Sequence, residues 1–285
     1  MRKISLIALF AALVLNVQAD DLWTGSKHVC WEDGGIQIPA ASFTEAQPGQ
    51  KIIVYFTGAT DGIEFKVMNE HFDHLAGSRE AAWISGEGSF EQFLTQTAVD
   101  SLKAYGLEII GANFTCTQVA LESGKDALKE GFTVWTGFFW ADSWSTLELY
   151  WNGYAGVDWS KATALRIYSE ANRSDFVINV ILNAWPDQGG ENVANQEAMT
   201  PGEGYMELPL TDELRTKLAE ASKWMIQFNK EAGSPFNVTD IVLVGDFPSD
   251  ISNTEVESKA VKFFENGQLV IIKNGVKYNA LGAQL

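Results

Sequence analysis

Leu22-Trp23-Thr24-Gly25 recurs as Val134-Trp135-Thr136-Gly137, 112 residues further along the chain. That echo decides how the sequence divides, because the elements after each copy follow the same order. Phe93-Leu94-Thr95 leads into a helical spacing of Val99, Leu102 and Tyr105 that stops at Gly106. Its counterpart is Leu210-Thr211 ahead of Leu214, Leu218 and Ala221. Thr95 and Thr211 stand where a hydroxyl can accept an orphan N–H at a helix start. A strand follows each helix, at 107–110 or 224–228. A closing strand comes next, Thr117-Gln118-Val119-Ala120-Leu121 or Thr239-Asp240-Ile241-Val242-Leu243. Two copies at this spacing predict duplicated domains rather than a solenoid, whose units are shorter.

Segments 51–56, 63–68, 146–151, 165–168 and 176–182 alternate or run apolar and are rich in Ile, Val, Phe and Tyr, as strands should be. Gly and Asn/Asp clusters separate them. Many short strands, turn signals and one short helix per copy predict an all-β chain. It would comprise two tandem antiparallel β-sandwich domains of jelly-roll, galactose-binding-like kind, at residues 20–124 and 132–246, joined through 124–131. A polar stretch with Pro248 and several Ser, Asp and Asn residues reads as a linker at 247–260. Residues 261–285 differ again: Asn274-Gly275 between β-rich runs signals a hairpin, and a lone hairpin is an appendage rather than a domain.

The chain has 285 residues, with 20 Lys+Arg against 37 Asp+Glu, 46% hydrophobic residues and 20% charged ones. It can bury a core. A formal charge of −17 argues against nucleic acid and anionic membrane surfaces, both of which need a cationic excess. Arg2 and Lys3, the apolar run from Leu6 to Leu15, and Val17-Gln18-Ala19 ahead of Asp20-Asp21 read as a secretory signal over residues 1–19. Its removal would take the charge from −17 to −19. No later segment offers the roughly 18 uninterrupted apolar residues of a membrane span. The expected location is therefore secreted or cell-surface, and the expected state a monomer. In such a setting Cys30 and Cys116 could form one disulfide closing the first module; the alternative is two small buried hydrophobes.

Ten Trp, seventeen Phe and seven Tyr need a use. Flat apolar faces with few cations suit a neutral ligand such as a sugar, whose axial C–H groups stack on an indole while its hydroxyls bond to Asp, Asn, Gln or Arg. Trp23 and Trp135 are repeat-equivalent and read as structural. Trp224 shares a strand face with Ile226 and Phe228 and reads as core. Trp151, in line with Leu147 and Leu149, reads equally as core or as surface. That leaves Trp140, Trp144 and Trp185 as ligand-facing candidates in the second module, with Trp159 behind them. Asp187 and Gln188 stand beside Trp185 as hydroxyl partners. In the first module, the loop with His74 and Arg79, followed by Trp83, is the corresponding candidate. By position, 72–77 matches Ala184-Trp185-Pro186-Asp187-Gln188-Gly189, so the two loops are expected to form a shared ligand-facing edge. His71, Asp73 and His74 lack a third distant His or Cys, so no metal site is assigned. No cofactor is called for, although Asp/Asn-rich loops could hold a structural calcium.

Catalytic signatures are weak. There is no Gly-x-Ser-x-Gly, no His-Glu-x-x-His and no phosphate-cradling glycine loop. A glycosidase needs two carboxylates flanking the scissile bond, and among 37 acids no pair stands out by sequence.

Leu22-Trp23-Thr24-Gly25, Phe43 with Gly49-Gln50-Lys51-Ile52-Ile53-Val54, the Leu94-Thr95 helix start and Gly111-Ala112-Asn113-Phe114-Thr115-Cys116-Thr117-Gln118-Val119 resemble the tandem β-sandwich carbohydrate-binding-like modules attached to glycanases of gut and rumen Bacteroidota. The second module departs from that pattern in its Trp-rich start and in lacking the Gly-Asp/Gln-Lys turn before Leu165. Asn266-Gly267-Gln268-Leu269, Ile271-Ile272-Lys273-Asn274-Gly275 and Tyr278-Asn279 resemble the short C-terminal tails of secreted Bacteroidota proteins, which look like relatives of type IX sorting signals. The resemblance implies a secreted, non-catalytic protein docking plant-type polysaccharide such as β-glucan, cellulose or xylan. The alternatives are a glycoside hydrolase acting on the same polymers, or a structural surface adhesin whose aromatics pack between modules.

Overall fold

The computed structural model describes residues 20–79, 81–125, 128–170, 176–194, 200–229, 235–247, 261–265, 268–273 and 276–279. The expected signal at 1–19, most of the 247–260 linker and the Asn274-Gly275 turn lie outside them.

The first module contains β1 (Asp20–Val29), β2 (Ile36–Ile38), β3 (Lys51–Ala59), β4 (Gly62–Val67), β5 (Ala82–Trp83), β6 (Gly86–Phe93), α1 (Gln96–Tyr105), β7 (Leu107–Gly111) and β8 (Phe114–Glu122). Its strands form two antiparallel sheets, ordered β1-β8-β3-β6 and β2-β7-β4-β5. One core cluster, including Val54, Phe56, Ile63, Phe65, Leu102 and Ile109, lies between them. The second module contains β9 (Phe132–Ala141), β10 (Thr146–Tyr150), β11 (Ala162–Ser169), β12 (Val177–Leu182), β13 (Glu191–Ala194), β14 (Thr200–Pro201), β15 (Tyr205–Pro209), α2 (Asp212–Glu220), β16 (Lys223–Asn229) and β17 (Phe236–Gly245). Its sheets run β14-β15-β11-β17-β9 and β10-β16-β12-β13, around a core with Leu147, Leu165, Ile178, Trp224 and Ile241. Apart from the added β14, the strand orders superpose element for element. The chain is all-β, with two antiparallel sandwiches and one short helix in each.

The repeated tetrapeptide has a physical explanation. In β1, Asp21 pairs with Ala120 and Trp23 with Val119, so Leu22 is an extra residue; Thr24 then pairs with Gln118 and Lys27 with Cys116, so Gly25 and Ser26 face the single Thr117. In β9, Trp135 pairs with Ile241 and Thr133 with Val242, leaving Val134 extra; Thr136 pairs with Asp240 and Phe139 with Val238, so Gly137 and Phe138 face Thr239 alone. Each copy is thus a pair of β-bulges flanking Trp-Thr. The indole folds back over the glycine two residues on: a Cβ on Gly137 would lie 2.7 Å from Trp135 Cζ2, and one on Gly25 would lie 2.9 Å from Trp23 Cζ2.

Both helices start as the threonines predict. Thr95 Oγ1 accepts from Ala98 N at 3.1 Å and Thr211 Oγ1 accepts from Leu214 N at 3.2 Å. α1 stops at Gly106, whose φ of 86° favours glycine.

The disulfide expectation is corrected. Cys30 and Cys116 are both thiols. Cys116 lies opposite Lys27, and Cys30 is three residues further along the chain, just past the end of β1. At about 3.4 Å per residue that is about 10 Å, outside the roughly 7 Å that a bridge can span. Cys116 is instead a buried hydrophobe, and burial pushes its pKa up to about 11. The reading of 146–151 as one strand is also corrected. β10 ends at Tyr150, and Trp151 begins a 3-10 turn with its side chain 48% exposed.

The two sandwiches pack on each other. Lys125, between them, donates to Thr239 O and pairs with Asp240 at 3.0 Å, while its own backbone N–H bonds to Gly49 O. Burial lowers the Lys125 pKa and the charge of Asp240 pulls it back up. Phe93 meets Phe138 edge to face at 5.4 Å. A Cβ on Gly77 would lie 3.5 Å from Val134 O, a close approach of backbone to backbone at a φ of 73°.

Residues 248–285 form a separate unit. It holds β18 (Val261–Glu265), β19 (Gln268–Lys273) and β20 (Val276–Asn279) in one three-stranded antiparallel sheet. The tail thus has one strand more than the expected hairpin.

Candidate functional site

β4 turns Ile63, Phe65 and Val67 into the first core, which leaves Glu64 and Lys66 on the opposite face. β5 does the same with Ala82, so Ala81 and Trp83 face outward, and Trp83 is 71% exposed. β10 buries Leu147 and Leu149 and presents Thr146, Glu148 and Tyr150. These faces come together where the sandwiches meet. A groove of about 340 Å³ is lined by Glu64, Arg79 and Ala81 from the first module and by Thr146 and Glu148 from the second.

The two carboxylates of the groove belong to a wider network of charges. Lys66 Nζ lies 2.9 Å from Glu64 and 2.8 Å from His74 Nε2. The His74 ring stacks on Tyr150 with centroids 5.0 Å apart, which carries the network across the junction. Glu148 accepts from Lys223 at 3.2 Å. The Arg79 guanidinium sits 5.1 Å from the centre of the Phe139 ring. Arg79 stays solvent-accessible, yet packing around it lowers its pKa and Glu148 raises it again. It keeps its charge at any ordinary pH. The groove therefore offers an exposed guanidinium, the Glu148 carboxylate, a threonine hydroxyl and a nearly buried Glu64 paired with Lys66, with an open indole two residues beyond Ala81.

A second indole stands two residues before Thr146. Trp144 is 58% exposed and has a φ of 64°, a left-handed conformation that is rare for a bulky residue. Hydrogen bonds hold it there: Trp144 N to Phe228 O at 2.8 Å, Ser143 N to Asp142 Oδ1 at 2.6 Å, and Ser145 Oγ to Asp142 O at 2.8 Å. Strain held by surrounding bonds, with the side chain facing water, suggests a use for that side chain.

His74 thus meets the second module through Tyr150 and Arg79 lines the groove, while Trp83 and Trp144 stand two residues along the chain from the lining residues Ala81 and Thr146. Trp140 does not line the groove. It is 60% exposed on the outer face of the five-stranded sheet, beside Asn237, with Phe138 two residues before it. Tyr168 and Tyr205 lie on that outer face too, 5.2 Å apart, with Arg166 over Tyr205. Trp185, Asp187 and Gln188 lie in a 3-10 turn after β12. That turn follows the Leu182–Trp224 pair, whereas Trp144 bonds to Phe228 at the other end of β16. The separation is about 14 Å along the strand, so Trp185 and Trp144 belong to different ends of the sandwich. Asp187 and Gln188 are exposed and Trp185 is half-buried.

The shared ligand-facing edge is corrected as well. In the first module's 72–77 loop, Phe72 is exposed, but Leu75 and Ala76 are buried in the first core and Gly77 lies against Val134 of the second module, while the matching 184–189 segment is half-buried or exposed. Glu64, Thr146 and Glu148 were not singled out from the sequence. Each is an ordinary outward residue of an alternating strand, and only the junction gives it a partner across the groove.

No family model and no curated protein matches the chain. Among solved structures it is similar, over 36% of its length, to the Bacteroides ovatus mixed-linkage glucan utilization locus protein SGBP-B in complex with a mixed-linkage heptasaccharide. That match has 18% identity and a TM-score of 0.32, and it spans 29% of that chain. No helix among the described residues is long and apolar enough to cross a membrane.

Proposed function

We infer that the protein is a non-catalytic carbohydrate-binding protein that docks plant-type polysaccharide by aromatic stacking at the junction groove. One observation carries the reading: both sandwiches line a polar groove, and each has a solvent-exposed indole two residues along the chain from a lining residue, Trp83 after Ala81 and Trp144 before Thr146. A pyranose ring stacks on Trp83 or Trp144 through its C–H face, and its equatorial hydroxyls bond to Arg79, Glu64, Thr146 and Glu148. The reading rests on this geometry and not on the glucan-binding neighbour. It includes residues 20–124 and 132–246 as the two modules, residues 1–19 as an export signal and 261–285 as a sorting tail, with the protein acting outside the cell.

Affinity electrophoresis against soluble β-glucans and xylans tests it. Retardation by at least one glycan is expected. Trp83→Ala and Trp144→Ala should each weaken it roughly tenfold, about 1.4 kcal/mol. Unchanged mobility on every glycan would sink the proposal.

One observation favours a second reading. Glu64 and Glu148 line the same groove from opposite modules, and a pair of carboxylates is what a glycoside hydrolase needs. Reducing-sugar release that disappears in Glu64→Gln or Glu148→Gln, while retardation persists, would favour that reading. The adhesin alternative accounts for Phe93, Phe138 and Tyr150, which do pack between modules, but not for the open faces of Trp83 and Trp144.

A further inference from the structure

At the end of β1, Val29 points into the core and its neighbours do not. His28 and Cys30 therefore share the outer side of the chain. A tight turn follows. Gly34 N bonds to Cys30 O at 3.0 Å, the two residues form an isolated β-bridge, and Gly34 takes a φ of 75°. The turn brings Asp33 back over Cys30, and Asp33 N donates to Cys30 Sγ at 3.3 Å. An imidazole nitrogen, a thiol sulfur and a carboxylate oxygen then all lie within 4.8 Å of one another.

We propose that His28, Cys30 and Asp33 form a surface zinc site, with the fourth tetrahedral position left to water. Three donors about 2.0–2.3 Å from one zinc ion stand roughly 3.3–3.8 Å apart. The gap to that spacing is about 1 Å, which rotation of two exposed side chains closes. The donor set selects the metal. A thiolate with an imidazole suits zinc, whereas calcium and magnesium take oxygen ligands. Binding releases the thiol proton to solvent, so affinity falls as pH drops.

The duplication supplies the independent argument. The repeat-equivalent of His28 is Trp140 and that of Cys30 is Asp142, and the second module makes its own turn there without imidazole or thiol. The fold does not require these two residues. Cys30 also has no disulfide role, since Cys116 is out of its reach.

The test uses the full, tag-free chain and cobalt(II) as the probe. One equivalent should give tetrahedral d–d absorption and a thiolate-to-cobalt band in the near ultraviolet, both bleached by zinc. Cys30→Ser should abolish the thiolate band, and His28→Ala should weaken binding at least about tenfold. Zinc should also slow the reaction of the wild-type thiol with a disulfide reagent. Absence of saturable binding at one equivalent, a thiolate band that survives Cys30→Ser, or thiol reactivity indifferent to zinc would each overturn the proposal.

Discussion

Gly137 has no room for a methyl group. Trp135 is buried, and its ring edge occupies the place that a Cβ would take. Gly137→Ala should therefore lower stability by about 1–3 kcal/mol through overpacking, read as a shift of the denaturant midpoint. Gly25→Ala should cost less, because Trp23 is only half-buried and can swing away. Cys116 sets a pH dependence. Its thiol is held up at about 11 in the folded chain, against 9.0 as the ordinary value. Between those values the unfolded chain has lost the proton and the folded chain has kept it, so stability falls as pH rises. The loss should reach about 2–3 kcal/mol by pH 11. Urea titrations at pH 8 to 11 should show a shallower decline for Cys116→Ala; an identical decline would refute the assignment. At this scale the sequence was legible where a residue serves the fold. Trp23, Trp135 and Trp224 read as structural because the repeat and the strand period marked them. Trp151 did not resolve, because a strand ending one residue earlier moves that side chain from core to surface.

The helix caps are a matched pair with different surroundings. Thr95 is fully buried and Thr211 is exposed. Alanine at either should cost about 1 kcal/mol. Thr95→Ala should cost more, because the Ala98 N–H would be left buried without an acceptor. Thermal melts of the two variants compare them directly, and equal losses would contradict the burial argument. Cap, helix and strand order were legible because each is written within a dozen residues. The sheet assignments follow from them, since both copies repeat one order. What local pattern does not hold is the destination of an outward face. Glu64 on β4 and Glu148 on β10 alternate with core residues in the ordinary way, and nothing nearby in sequence says that one will meet the other.

The two sandwiches are joined by more than a tether. Lys125 sits between them with Asp240, a carboxylate that is almost wholly buried and otherwise bonded to Thr136. Lys125→Met would leave that charge without its cation, at a cost of about 3–5 kcal/mol. Adding Asp240→Asn should restore much of the loss. Calorimetry of the full chain reads both, and an unchanged melting temperature in the single variant would count against the pair. The candidate groove was illegible in the sequence for the same reason: it exists only at the junction, and of the loop that reads as an open edge, 72–77, Leu75 and Ala76 go into the first core and Gly77 to the junction. The double bulge in β1 and β9 has a consequence for association as well. Both are ten-residue strands at the border of their sheets, and a long flat border invites another chain to add on. Two extra residues per strand break the run of evenly spaced donors and acceptors, which hinders pairing along it by a straight strand from another copy. The motif that organises each sandwich thus doubles as the kind of device that keeps open sheet borders from pairing edge to edge.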